Sequence, residues 1–173
     1  MGKCIHCGRP AGWFRTRHAE CDMEHRTAKG ELPSFIAESI TKGREVRAVE
    51  PELQHMSEVG FLKPALREQL IQSGIQLAVD HALDDDELTE AEEERISKWV
   101  NELAQQHPAL KSSEGVVRLV RASIVRNLRE GKPVTGRVSS DGLPFLFQKS
   151  EELIWAFNHV DFYQNTTRTE YIG

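Results

Sequence analysis

Two pairs of metal-ligating residues near the N-terminus restrict this chain more than anything else in it: Cys4-Ile-His-Cys7 and, after ten intervening residues, His18-Ala-Glu-Cys21. Together they use all three cysteines and one of the seven histidines. A two-residue gap lets a tight turn aim both side chains of a pair at one ion, and the intervening loop can bring the second pair round. Zinc takes four such nitrogen and sulfur ligands tetrahedrally, and a closed set of this kind is structural. Gly8 follows Cys7 where the turn needs a residue tolerant of positive φ. The segment from Cys4 to Cys21 has little to form a core, so one bound Zn2+ on Cys4, Cys7, His18 and Cys21 supplies its folding energy. His6 and His25 compete as ligands; His6 is expected to point away, and His25 is the substitute for His18. A redox Cys-x-x-Cys pair fits poorly because no apolar strand precedes Cys4. A disulfide framework would want an even cysteine count and a secretion signal.

The chain has 173 residues, room for one domain and a small module. No apolar run approaches the ~20 residues of a membrane span. His6 stands where a myristoylation motif wants Ser or Thr. A reducing, cytoplasmic location is the expectation.

Charge is unevenly spread. Residues 1–30 hold Lys3, Arg9, Arg15, Arg17, Arg26 and Lys29 against Glu20, Asp22 and Glu24, a net of +3, which leaves −8 on the remainder of a chain whose total is −5. Arg9, Arg15, Arg17 and Arg26 are candidate contacts to nucleic-acid phosphates, with Trp13 and Phe14 available for base stacking. The simpler reading is charge balance: three thiolates and one zinc ion leave −1 for nearby cations to offset.

Beyond the finger the pattern is helical. Pro33 opens and Gly43 closes a short helix with Phe35, Ile36 and Ile40 on its apolar edge. Residues 45–59, interrupted by Pro51, fit either a second helix or a linker. From Pro64, Leu66, Leu70, Ile71, Ile75, Ala78 and Ala82 recur at helical spacing. Thr89-Glu-Ala-Glu92 is a capping box; Ile96, Trp99, Val100 and Leu103 follow on one face. A last helix over about 113–130 carries Val117, Val120, Ile124 and Leu128, and Gly131 and Pro133 end it. The expected fold class is mainly α: a Cys3His zinc finger over 1–30, a helical linker over 31–59, a helical bundle over 60–132, and a linker with β-strands over 133–173.

The stretch Ala78-Val79-Asp80-His81-Ala82-Leu83-Asp84-Asp85-Asp86-Glu87-Leu88-Thr89, with Glu92 and Ile96 beyond it, resembles the signature of TerB-like (tellurite-resistance type) domains over roughly residues 60–130. Asp86 replaces the usual glycine of the acidic turn. The resemblance implies a helix–acidic turn–helix unit associated with bacterial stress-response and phage-defence systems, often fused to zinc-ribbon or other interaction modules. The acidic residues do not make an EF-hand: counted from Asp84, loop position 5 is Leu88 and position 6 is Thr89, where an oxygen ligand and a glycine are required. A solvated, capped turn is the simpler reading of residues 84–94.

Residues 133–142 read as a linker, and Leu153-Ile-Trp-Ala-Phe157 with Val160, Phe162 and Tyr163 as strand. Lys149-Ser-Glu-Glu-Leu-Ile-Trp155 resembles the opening of GRAM or PH-like β-domains. These strands are expected to pack on the helices, to begin a longer β-domain, or to pair with a second copy as a homo-oligomer.

No catalytic motif stands out, and His55, His81, His107 and His159 lie on separate segments without a partnered nucleophile. Trp99 and Trp155 read as core residues and Trp13 as packed against the finger. The expectation is a non-catalytic adaptor or sensor with a protein partner; the alternative is a nucleic-acid-binding protein working through its basic finger.

Overall fold

A computed structural model describes residues 2–85 and 87–130 of the chain. The expectations for residues 133–173, including the GRAM or PH-like strands, Trp155 and pairing between copies, lie outside the described residues, as does the side chain of Leu128. The finger opens with a short antiparallel ribbon, β1 (Gly2–Lys3) and β2 (Pro10–Gly12), in which Gly2 faces Gly12 and Lys3 faces Pro10. Five helices follow: α1 (Ala19–Thr41), α2 (Val46–Val59), α3 (Pro64–Ala82), α4 (Glu90–Leu103) and, after a 3-10 turn at Pro108–Ser112, α5 (Glu114–Arg129). The architecture is therefore mainly α, as the sequence pattern predicts, with a small two-stranded ribbon at its N-terminal end that the pattern did not reveal.

The helix starting at Pro33 is instead the second half of a longer one. At a rise of 1.5 Å per residue α1 is about 34 Å long and carries Pro33 in its interior. Proline there denies the Lys29 carbonyl its usual partner and costs roughly 3 kcal/mol. Burial offsets that cost: Ala28, Leu32, Ile36 and Ile40 form a stripe at four-residue steps, and Leu32 and Ile36 are wholly buried. Residues 46–59 are also helical despite Pro51, which faces solvent while Val46, Val49, Leu53 and Ser57 face inward. Residues 31–59 thus belong to the core rather than to a linker, and the expected boundary at residue 30 falls inside α1.

One core gathers Leu32, Ile36, Ile40, Val49, Leu53, Ile71, Ile75, Ile96, Trp99 and Leu110 among others. α1 packs along α3, α3 along α5, and α2 and α4 on α1. The α3 and α4 faces are those expected; Leu66 is half-buried at the rim. On α5 the buried face is turned relative to expectation: Val116 and Leu119 are buried with Ile124, and Val117 and Val120 are half-buried. Buried Trp99 donates its indole N–H to the Arg44 carbonyl at 2.7 Å, tying α4 to the α1–α2 turn.

α1 and α2 end alike. The N–H of Arg44 bonds the Ser39 carbonyl and that of Gly43 bonds Ile40; the N–H of Leu62 bonds Ser57 and that of Phe61 bonds Glu58. This is a Schellman ending, whose C′ residue is left-handed. Gly43 fills that position at φ 68°, as its type suits, whereas Phe61 fills it at φ 50°, a conformation uncommon for a residue with a Cβ. The turn so made places Phe61 against the finger.

Candidate metal centre

The Sγ atoms of Cys4, Cys7 and Cys21 and one imidazole nitrogen of His18 all lie within 4.8 Å of one another. Cys4 and Cys7 sit on the turn between β1 and β2. That turn is closed by Gly8 N–H to the Cys4 carbonyl at 2.9 Å and Cys4 N–H to the Arg9 carbonyl at 2.8 Å, with Gly8 at φ 72°. His18 is the residue preceding α1, and Cys21 lies in its first turn. The second ligand pair is therefore built on the helix that runs into the core.

The spacing of these four atoms allows one metal ion among them. With metal–sulfur bonds near 2.3 Å, tetrahedral ligand atoms stand about 3.5–3.8 Å apart. Nδ1 of His18 is 3.3 Å from Cys7 Sγ and 3.7 Å from Cys21 Sγ. The other ring nitrogen, Nε2, lies 3.0 Å from the Pro10 carbonyl and donates to it. That bond fixes the tautomer, leaves the Nδ1 lone pair facing the three sulfurs, and ties the ring to β2, as outer partners of ligating histidines do.

The sulfurs repel and compete for protons. Burial works to raise the Cys4 thiol, but the backbone N–H groups of Cys7, His18 and His6 favour its thiolate and bring it down to about 6. Burial and then the neighbouring Cys7 sulfur push Cys21 up to about 11. A cation among them relieves both the desolvation and the repulsion. The set can therefore hold one metal ion. It is the only group of three or more His, Cys, Asp and Glu side chains among the described residues with metal-binding geometry.

Neither competing histidine joins the cluster. The His6 side chain is buried; its Nε2 lies 3.4 Å from Asp22 Oδ1, and its ring stacks on His25 at 4.4 Å between centroids. His25 donates Nδ1–H to the Gly60 carbonyl at 2.7 Å. Phe61 stands 6.4 Å from the His6 ring. These contacts dock the finger on the α2–α3 turn, a role the sequence pattern did not reveal, because the partners lie 35 residues apart in the chain.

Of the four arginines singled out as phosphate contacts, Arg17 and Arg26 both pair with Asp22, whose carboxyl is held low by Arg17, His6 and Arg26 against the opposing effect of burial. Arg9 and Arg15 have no carboxylate partner among the described residues. Trp13 does not pack against the finger: it is 80% exposed, and Phe14 is 98% exposed. The acidic turn is held by structural contacts. Asp80 pairs with Arg118, Glu93 with Arg126, Asp85 accepts the Glu87 N–H, and Thr89 and Glu92 close the expected capping box. Of the remaining histidines, His55 and His81 are exposed and His107 is half-buried. The chain matches no protein-family model, no curated protein and no solved structure, so the functional reading rests on this geometry and on the sequence.

Proposed function

We propose that this chain is a zinc-bound interaction protein in which Cys4, Cys7, His18 and Cys21 hold one structural Zn2+ and the finger presents its loop to a partner. The observation that carries this reading is the convergence of three sulfurs and an oriented imidazole nitrogen within 4.8 Å. Thiolate ligands favour zinc over hard cations such as magnesium or calcium. Four protein ligands close the coordination sphere and leave no position for a reacting water, so the role is binding and not catalysis. The wider setting is an adaptor or sensor of a bacterial or phage stress-response or defence system. That part rests on the TerB-like resemblance of residues 60–130, and the α3–acidic turn–α4 unit with its Thr89 cap is in keeping with it.

Metal analysis of protein purified without added metal tests the reading. Wild type is expected to carry close to one equivalent of zinc, and Cys21→Ser to lose it. Full occupancy in Cys21→Ser and in its double variant with His25→Ala would overturn the assignment. For the wider setting, phage plating on host cells expressing wild type or Cys4→Ser should differ; equal plating removes the defence reading and leaves the zinc assignment standing.

A further inference from the structure

The loop between β2 and α1 carries Trp13 and Phe14 at a bend, almost wholly in solvent at 80% and 98% exposure. Each aromatic offers some 150–250 Å² of surface, and leaving two adjacent rings in water forgoes burial that would stabilise the fold and leaves that surface available to a partner. The bend is not a loose excursion. The Thr16 carbonyl just after it accepts the Ile5 N–H at 2.9 Å, and the Arg15 carbonyl packs so closely on Gly2 that a Cβ there would lie 2.6 Å from it. The metal turn and the ribbon thus hold the backbone around the two rings in place.

The charge around the rings is of one sign. Residues 1–19 contain Lys3, Arg9, Arg15 and Arg17 and no carboxylate, although the whole chain is acidic at −5. Arg17 is engaged by Asp22. Lys3, Arg9 and Arg15 have no carboxylate within salt-bridge distance among the described residues. A protein-docking aromatic pair needs no such flank, and an acidic chain would be expected to distribute its carboxylates here as elsewhere. Two exposed π-faces within a carboxylate-free stretch that carries Lys3, Arg9 and Arg15 match what a single nucleic-acid strand presents, namely unstacked bases on a phosphate backbone.

We infer that the Trp13–Phe14 bend is a binding site for single-stranded nucleic acid, in which the two rings stack on adjacent bases and Lys3, Arg9 and Arg15 contact the flanking phosphates. The inference rests on the zinc reading, since the metal holds both ends of the loop. It names the partner class for the interaction role, and a duplex, whose bases are already stacked, fits less well. Sequence preference is slight, because every base has a π-face and nothing at the bend reads base edges.

The test is fluorescence anisotropy of a labelled oligodeoxythymidylate with the zinc-loaded full chain, with zinc content measured on every sample. Wild type is expected to bind at low salt, with log K falling against log salt at a slope of about −2, or −0.7 for each of three phosphates. Trp13→Ala should weaken binding roughly ten- to hundred-fold with zinc content unchanged. Arg9→Gln with Arg15→Gln should flatten the slope by about 1.4. No binding by a fully zinc-loaded chain at about 50 mM salt overturns this inference and leaves the zinc reading intact. Loss of zinc from wild type sinks the underlying reading instead. Binding that Trp13→Ala and Phe14→Ala leave unchanged overturns the stacking site, as does Trp13-dependent binding of anionic vesicles in place of the oligonucleotide.

Discussion

Two glycines in helices should respond to the same substitution with opposite signs. Gly30 lies in α1 with nothing within 4 Å of where a Cβ would stand, whereas a Cβ on Gly74 of α3 would lie 2.7 Å from Ile36 Cβ, 2.9 Å from Ile36 Cγ2 and 3.0 Å from the Pro33 carbonyl. Alanine in place of glycine inside a helix is worth about 0.5–1 kcal/mol from propensity at either position. At Gly30 that gain stands alone, so Gly30→Ala should stabilise by about that amount. At Gly74 it is opposed by overpacking, which costs typically 1–3 kcal/mol. The clash cannot be relieved by a rotamer change, because Ile36 Cβ and the Pro33 carbonyl are fixed to the α1 backbone. Reaching ordinary contact near 3.5 Å requires α1 and α3 to part by the better part of an ångström. Gly74→Ala should therefore destabilise by about 1–2 kcal/mol. Urea unfolding followed by helical circular dichroism, with zinc held constant, should separate the variants in midpoint at unchanged slope. Equal stability of Gly74→Ala and wild type would refute the close packing of α1 on α3, and destabilisation by Gly30→Ala would refute the free surface assigned to that stretch.

Other outcomes follow from single interactions. Thr89→Ala removes the hydroxyl that accepts the Glu92 N–H and donates to the Glu92 carboxylate, leaving only the backbone N–H of residue 89 on that carboxylate, and should lower urea stability by about 1 kcal/mol, with Thr89→Ser restoring most of it. Gly43→Ala forces a side chain into φ 68° and should cost about 1 kcal/mol, again read from the urea midpoint. Zinc binding should release protons at neutral pH, among them that of Cys21, whose thiol is pushed up to about 11, whereas Cys4, brought down to about 6, contributes little. Binding requires the thiolates, so apparent affinity should rise with pH between those values and collapse in acid. Calorimetry in two buffers of different ionisation enthalpy counts the protons, and a pH-independent affinity would contradict the assignment.

The convergence of Cys4, Cys7, His18 and Cys21 and the Thr89 cap were legible because both are local: a gap of two residues, or a threonine three residues before a glutamate, fixes which groups can meet. The faces of α3 and α4 were legible for a similar reason, since each is strongly periodic. What the pattern hid was decided by tertiary contact. The first half of α1 shows little apolar periodicity, and only packing of Ala28 and Leu32 against the body makes it part of one long helix. Proline punctuation misled at Pro33 and left residues 45–59 open between helix and linker at Pro51; at both, burial of neighbouring residues outweighs a missing hydrogen bond. Asp80 and Glu93 meet Arg118 and Arg126 across 38 and 33 residues, separations at which no spacing rule operates. Trp13 was expected to be covered because tryptophan usually is; its exposure follows from a loop whose backbone, not its side chains, makes the contacts to the finger.

If the cluster holds zinc as proposed, the placement of His18 and Cys21 has a consequence for how the metal would stabilise the chain. His18 immediately precedes α1 and makes no side-chain bond to the helix's first N–H groups. Those groups are left without the usual cap, a deficit of about 1 kcal/mol. A metal-bound thiolate at Cys21, in the first turn, would complement the positive end of the helix dipole, and the metal would anchor that turn to the ribbon. From Ala28 onward the body takes over, because Ala28 is the first residue of α1 to be buried. On the proposed reading, bound zinc would hold residues 19–27 helical while the core holds 28–41. Hydrogen exchange on the full chain, with and without a chelator, should show protection lost across 19–27 and across the ribbon, with residues 28–41 little changed. Uniform loss of protection along α1 would mean that the finger and the body fold as one unit. Unchanged protection at 19–27 would mean that the His25–Gly60 and His6–Phe61 contacts, not the metal, hold the start of the helix.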